Sequence, residues 1–213
     1  VDNKMDDIFK YYGELKGIDN INPPLRLSLT PYIAGYVQKD PGTDKFSSDQ
    51  IKSKLYTLAC SLSGSSYEHT TEVSINGLSE NMKQASDIVE DLLANVKPDE
   101  QLLSKMKENW KKQLMNAKTD KDANAQALET YTIYGPENPQ THSLKPSEID
   151  KLTAEELVNI VKDLFRHQYS VIYYGPLAKD KAVAELNTMH KGAENLAEYA
   201  PSRSFEVLDS KEP

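Results

Sequence analysis

The sequence predicts an α+β domain whose helices pack on a sheet. Three observations carry this expectation. Short segments of strand character are spread along the chain, long amphipathic helical patterns lie between them, and no short-period repeat or low-complexity tract points to a solenoid. The order read along the chain is strand, two helices, strand, three helices, helix, strand, helix.

The first strand falls in "DDIFKYYGEL", where Ile8, Phe9, Tyr11 and Tyr12 favour extended backbone, and the turn "GIDNINPP" closes it. Leu25 to Val37 then repeats apolar residues at helical spacing. It carries no charge from Leu27 to Gln38, although charged residues make up 27% of the chain. A helix so apolar is either buried in a core or forms the floor of a site. After Pro41-Gly42, Ser48 is placed to cap a helix in which Ile51, Leu55, Leu58 and Ala59 form one stripe. "TTEVSINGL" alternates Val73 and Ile75 with polar neighbours, the pattern of a half-buried strand.

A helix from about Ser79 puts Met82, Ala85, Ile88, Val89, Leu92 and Leu93 on one face and ends near Lys97-Pro98. A second follows from Asp99 with Leu102, Leu103, Met106, Trp110 and Leu114. A third, Asp120 to about Tyr134, presents Ala127, Leu128 and Tyr131 before the breaker-rich "GPENPQTHSLKPSE". Thr153 and Glu156 have capping-box spacing for "TAEELVNIVKDLF". "YSVIYYG" reads as a buried strand, and "AKDKAVAELNTMH" as the last helix. The domain is expected to run from 1 to 190, with 191–213 a polar linker or tail toward a further domain.

At 213 residues the chain is long enough to bury roughly 70% of its unfolded surface. No run approaches the ~20 apolar residues of a membrane span. The 33 acidic and 25 basic side chains give a net charge of -8, and Arg26, Arg166 and Arg203 are the only arginines. That balance lacks the basic stripe that nucleic acid requires. Cys60, the single cysteine, excludes an internal disulfide and reads as a small buried hydrophobe. Both periplasmic and cytoplasmic locations stay open. "VDNKMDDIFKYYGE" is charged from its second residue, unlike a signal peptide, and a start without Met is what a processed or excised fragment is expected to show, so a missing targeting segment says little.

Chemistry-bearing motifs are sparse. His69, His142, His167 and His190 lie far apart, with neither H-E-x-x-H nor its inverse, and read as solvated surface histidines. Asp99-Glu100 and Glu155-Glu156 fall in first helical turns, where the helix dipole favours carboxylates. "SLSGSSYEH" has no nucleophile-elbow pattern around its serines. Trp110, Tyr131 and Tyr134 read as core rather than a stacking platform for a ligand.

The ordered series "GTDKFSSDQIKSKLYTLACSLSGSSYEHTTEVSINGLSENMKQASDIVEDLL", "PDEQLLSKMKENWKKQL", "YGPENPQTHSLKPSEIDKLTAEELVNIVKDLF" and "SVIYYGPLAKDKAVAEL" resembles the insulinase/pitrilysin family of inverted-motif zinc peptidases. The resemblance implies helices on one face of a mainly antiparallel sheet, a half-domain of the insulinase/mitochondrial-processing-peptidase type. It also implies a helix bearing H-x-x-E-H shortly before Gly42-Thr43. Here the two histidine places fall on Tyr32 and Tyr36, the catalytic glutamate on Gly35, the third ligand on Gln113 and a further carboxylate on Met106.

None of these can replace its counterpart. Without ligands there is no Lewis acid, and without the glutamate no base to activate water. The resemblance therefore implies a non-catalytic domain that holds no metal or cofactor of its own. It would line a substrate chamber and pack against a zinc-bearing half, in the same or a partner chain, that hydrolyses peptide or unfolded protein. The family's substrate-contacting Arg and Tyr lie seven residues apart, but Arg166 and Tyr173 match that spacing in a different segment. An alternative keeps the fold for packing alone, as in peptidase-like core subunits of respiratory complexes. A third is a free-standing binding module.

Overall fold

The computed structural model describes residues 8–16, 42–66, 70–141, 143–189, 196–198 and 204–209. The apolar segment Leu25 to Val37, with Tyr32, Gly35 and Tyr36, lies outside them, as do His69, His142 and His190. The architecture is α+β: seven α-helices and a four-stranded antiparallel sheet among the described residues. In chain order these are β1 (Ile8–Lys16), α1 (Ser48–Thr57), β2 (Cys60–Ser66), β3 (Thr70–Leu78), α2 (Met82–Asn95), α3 (Glu100–Ala117), α4 (Lys121–Tyr134), α5 (Pro146–Ile149), α6 (Ala154–Asp163), β4 (Ser170–Tyr174) and α7 (Lys179–Met189).

The sheet order is β2-β3-β1-β4. β1 is an interior strand because it pairs on both sides, antiparallel to β3 with Phe9 opposite Gly77 and antiparallel to β4 with Lys10 opposite Tyr174. Cys60 faces Gly77 from the other side. Gly77 thus lies between a buried phenylalanine and a buried thiol, and a Cβ there would collide with Cys60 Sγ. One face of the sheet carries Phe9, Leu62, Val73 and Ile75, all buried. On β2 and β3 the other face is polar: Ser63 and Ser74 hydroxyls lie 2.7 Å apart, and Asn76 Nδ2 donates to Ser61 Oγ at 3.1 Å.

Helices cover the apolar face. α1 lies against β2, α2 against β3, and α6 and α7 against α2. The core joins Leu55, Met82, Ala85, Val89, Leu92, Leu103, Trp110, Leu157 and Val161 to the sheet residues. Each fully buried Leu, Met, Phe or Val side chain contributes about 1.5–3 kcal/mol. Trp110 is core, as its helical position predicts.

Several elements depart from the expectation. The helix capped near Ser48 has Ser47 as its N-cap, in a capping box with Gln50, while Ser48 is buried in its first turn. It stops at Thr57, so Leu58 and Ala59 are not part of its stripe. Ala59 takes φ 49° and turns the chain into β2, a strand that the serine-rich sequence "CSLSGSS" does not announce. Ser79–Asn81 is a 3-10 turn preceding α2. The breaker-rich loop contains α5, which buries Ile149. β4 is an edge strand, with Ile172 and Tyr174 exposed, rather than a buried one. α4 buries nothing: Leu128 and Tyr131 are exposed, and Tyr134 is only half-buried.

Two described pieces of the tail pair with the body. Ala197 exchanges backbone hydrogen bonds with the stretch around His167, donating to Arg166 O and accepting from Gln168 N, both at 3.0 Å. Leu208 N donates to Ile133 O at 2.7 Å.

Candidate functional site

The positions that the resemblance assigns to a metal divide between described and undescribed residues. Gln113 lies on α3, exposed, and Met106 lies two turns earlier, half-buried against the core. An amide and a thioether do not form a zinc site. Tyr32, Gly35 and Tyr36 add two phenols and a glycine by sequence alone. The residues at these places do not fit zinc, and among the described residues no cluster of three or more His, Cys, Asp or Glu side chains is arranged to hold a metal ion.

Among the described residues the fold builds a buried carboxylate, Asp91. Gly42 takes φ +70°, and a Cβ there would lie 2.8 Å from Ser47 Cα, so only glycine fits the bend. The bend turns Thr43 inward. Thr43 Oγ1 donates to Asp91 Oδ2 at 2.9 Å and accepts from the backbone N–H groups of Lys45 and Phe46 at 3.2 Å. Lys45 Nζ reaches Asp91 Oδ1 at 2.7 Å, and Asn95 Nδ2 donates to the same oxygen at 2.9 Å. Lys97 N donates to Gly42 O at 3.2 Å, and its ammonium pairs with Asp44 at 2.6 Å.

Asp91 is 8% exposed. Burial opposes its charge, yet the hydrogen bonds from Lys45, Thr43 and Asn95, together with the Lys45 charge, outweigh that and hold its carboxyl below the ordinary range. The network ties residues 42–46, immediately after the apolar segment, to the C-terminal half of α2. It is an anchor with every carboxylate oxygen engaged rather than an acid free to move a proton. The sequence signal was available: Asp91 follows Ile88 by three positions and precedes Asn95 by four, a carboxylate on the flank of an apolar stripe.

The remaining candidates have structural roles. Asp99 caps α3 through Leu102 N at 2.9 Å. Glu100 Oε1 accepts from Ala154 N at 2.8 Å and so joins the starts of α3 and α6. Glu156 closes the expected capping box with Thr153. Cys60 is buried, and desolvation pushes its thiol up against a smaller opposing backbone contact from Leu78. His167, the one described histidine, is half-buried rather than solvated. Its Nδ1 is 3.2 Å from Asp163 O and 4.0 Å from the Asp163 carboxylate. Arg166 pairs with Asp163, while Tyr173 OH accepts from Leu177 N, so the two face different neighbours.

No protein-family model and no curated protein matches the sequence. Solved structures do match the fold. Over 96% of this chain it resembles a mutant of the ferredoxin protease FusC in complex with Arabidopsis ferredoxin (TM-score 0.76, 10% identity, 22% of that chain). Over 94% it resembles the periplasmic protease PqqL from Escherichia coli (TM-score 0.69, 18% identity, 22% of that chain). The third is a peptidase M16 inactive domain from Pseudomonas fluorescens, matched over 100% of this chain (TM-score 0.70, 14% identity, 51% of that chain).

The fold is therefore that of M16-type, insulinase-like peptidase domains. The chain spans about a fifth of the two proteases and about half of the inactive domain.

Proposed function

We propose that this chain is a non-catalytic domain of an insulinase-like zinc metallopeptidase. It lines the substrate chamber and packs against a separate zinc-bearing half that hydrolyses peptides. One observation carries the reading: almost the entire chain adopts a fold found as a fraction of larger peptidases and in a domain described as inactive. The residues standing where ligands are expected support it, since Tyr32, Gly35, Tyr36 and Gln113 supply neither a zinc site nor a base. The buried anchor at Asp91 fits a wall element, because it fixes backbone rather than presenting a reactive group.

The test is elemental analysis of the purified chain together with hydrolysis of a fluorogenic peptide, alone and with the zinc-bearing half present. Zinc is expected only in the partner half, with peptide turnover requiring both. Stoichiometric zinc in this chain accompanied by its own peptidase activity would overturn the reading.

A further inference from the structure

The outer side of α6 carries a pocket. A cavity of about 370 Å³ is lined by Asn159, Ile160, Lys162, Asp163 and Arg166. That volume falls within the roughly 300–1,000 Å³ of small-ligand sites. Asn159, Lys162 and Asp163 belong to α6, and Arg166 closes the 3-10 turn Leu164–Arg166 that follows it. Their spacing of i, i+3, i+4 and i+7 brings the four polar side chains to one side of the helix. Ile160, half-buried and packed on the core, is the apolar floor.

The lining suits an anion of single charge, since two cations stand against one carboxylate. Arg166 Nη1 lies 3.6 Å from Asp163 Oδ1, too far for a hydrogen bond, so the planar guanidinium keeps its N–H groups for a ligand. Lys162, one turn earlier, adds the second cation. Among the described residues neither the Lys162 nor the Asn159 side chain has a hydrogen-bond or ion-pair partner. The backbone beneath the guanidinium is fixed from both sides of His167: Ala197 N donates to Arg166 O, and Gln168 N donates to Ala197 O, each at 3.0 Å. A site held in this way pays little to order itself around a ligand.

We infer that this pocket binds the free α-carboxylate of a short peptide whose last side chain is apolar. Arg166 takes the carboxylate bidentately and Lys162 adds its charge, while Ile160 receives the side chain and the Asp163 carboxylate accepts from the last peptide N–H. Asp163 also disfavours a free phosphate dianion, which it repels and which has no apolar part for Ile160. Hydrolysis of a peptide creates such carboxylates, so the pocket would hold products. The inference rests on the peptidase reading only for the choice of a peptide as the bearer of the carboxylate.

Calorimetric titration of the protein with N-acetyl-alanyl-leucine tests it, against the same dipeptide as its C-terminal amide and against inorganic phosphate. The acid is expected to bind at least tenfold more tightly than either. Arg166→Gln should weaken the acid at least tenfold, and because that side chain is 76% exposed the variant keeps the fold. Equal binding of acid and amide, phosphate bound as tightly as the acid, no binding of the acid, or acid binding untouched by Arg166→Gln would each overturn the inference. Acid binding that depends on Arg166, in a protein that supports no zinc-dependent peptide hydrolysis with any partner half, would leave the pocket standing and remove the peptidase reading. Hydrolysis with the zinc-bearing half but no acid binding would do the reverse.

Discussion

Replacing Asp91 with alanine should destabilise the domain far more than removing its cationic partner. The carboxylate is 8% exposed, and with it gone the Thr43 hydroxyl, 6% exposed, has no acceptor. A buried group left unpaired costs about 1–3 kcal/mol, and hydrogen bonds to a charged acceptor sit at the upper end of the usual range. The Lys45 side chain is 67% exposed, so its ion pair is screened and worth roughly 0–1 kcal/mol. Asn95 is exposed and can turn to water.

Asp91→Ala is therefore expected to lose about 2–4 kcal/mol, and Lys45→Met no more than ~1 kcal/mol. For a domain of this size that is a fall in Tm of about 5–15 °C for the first and a few degrees for the second. Urea unfolding followed by circular dichroism measures both. Equal losses in the two variants would refute the idea that the buried hydroxyl, rather than the ion pair, sets the cost. The pH dependence gives an independent check. Because the folded carboxyl is held below its unfolded value, its contribution is present above about pH 4 and is lost as pH falls through the folded pKa. Asp91→Asn should remove that acid-side loss.

Gly42→Ala should cost at least about 1–3 kcal/mol, since it forces a side chain into positive φ against Ser47, and denaturant midpoints will register it. Glu100→Ala should cost about 1 kcal/mol by freeing the first N–H of α6. The Cys60 thiol should react with a disulfide reagent at pH 8 only as fast as the chain unfolds, and rapid stoichiometric labelling of the native protein would contradict its burial. Tyr32→His, Gly35→Glu, Tyr36→His and Gln113→Glu together should create zinc affinity measurable by calorimetry. A folded quadruple variant that binds no zinc would show those positions to be misplaced.

The sheet-facing residues Phe9, Val73 and Ile75, the stripe Met82–Ala85–Val89–Leu92 and the α6 capping box were legible because each is a local pattern enforced over a few residues. β2 was not, because "CSLSGSS" has little intrinsic strand preference and becomes a strand by pairing with β3. The exposure of Tyr131 was equally hidden: helical spacing tells which residues share a face, but not whether anything lies opposite.

The sequence by itself determined the α+β class and the amphipathic helices, because these follow from side-chain type and period. Only the tertiary structure decided that Asp91 is a buried anchor and that α4 stands open. Both depend on which segments distant in the chain come together, Thr43 and Lys45 on α2 in one case and the tail at the end of α4 in the other.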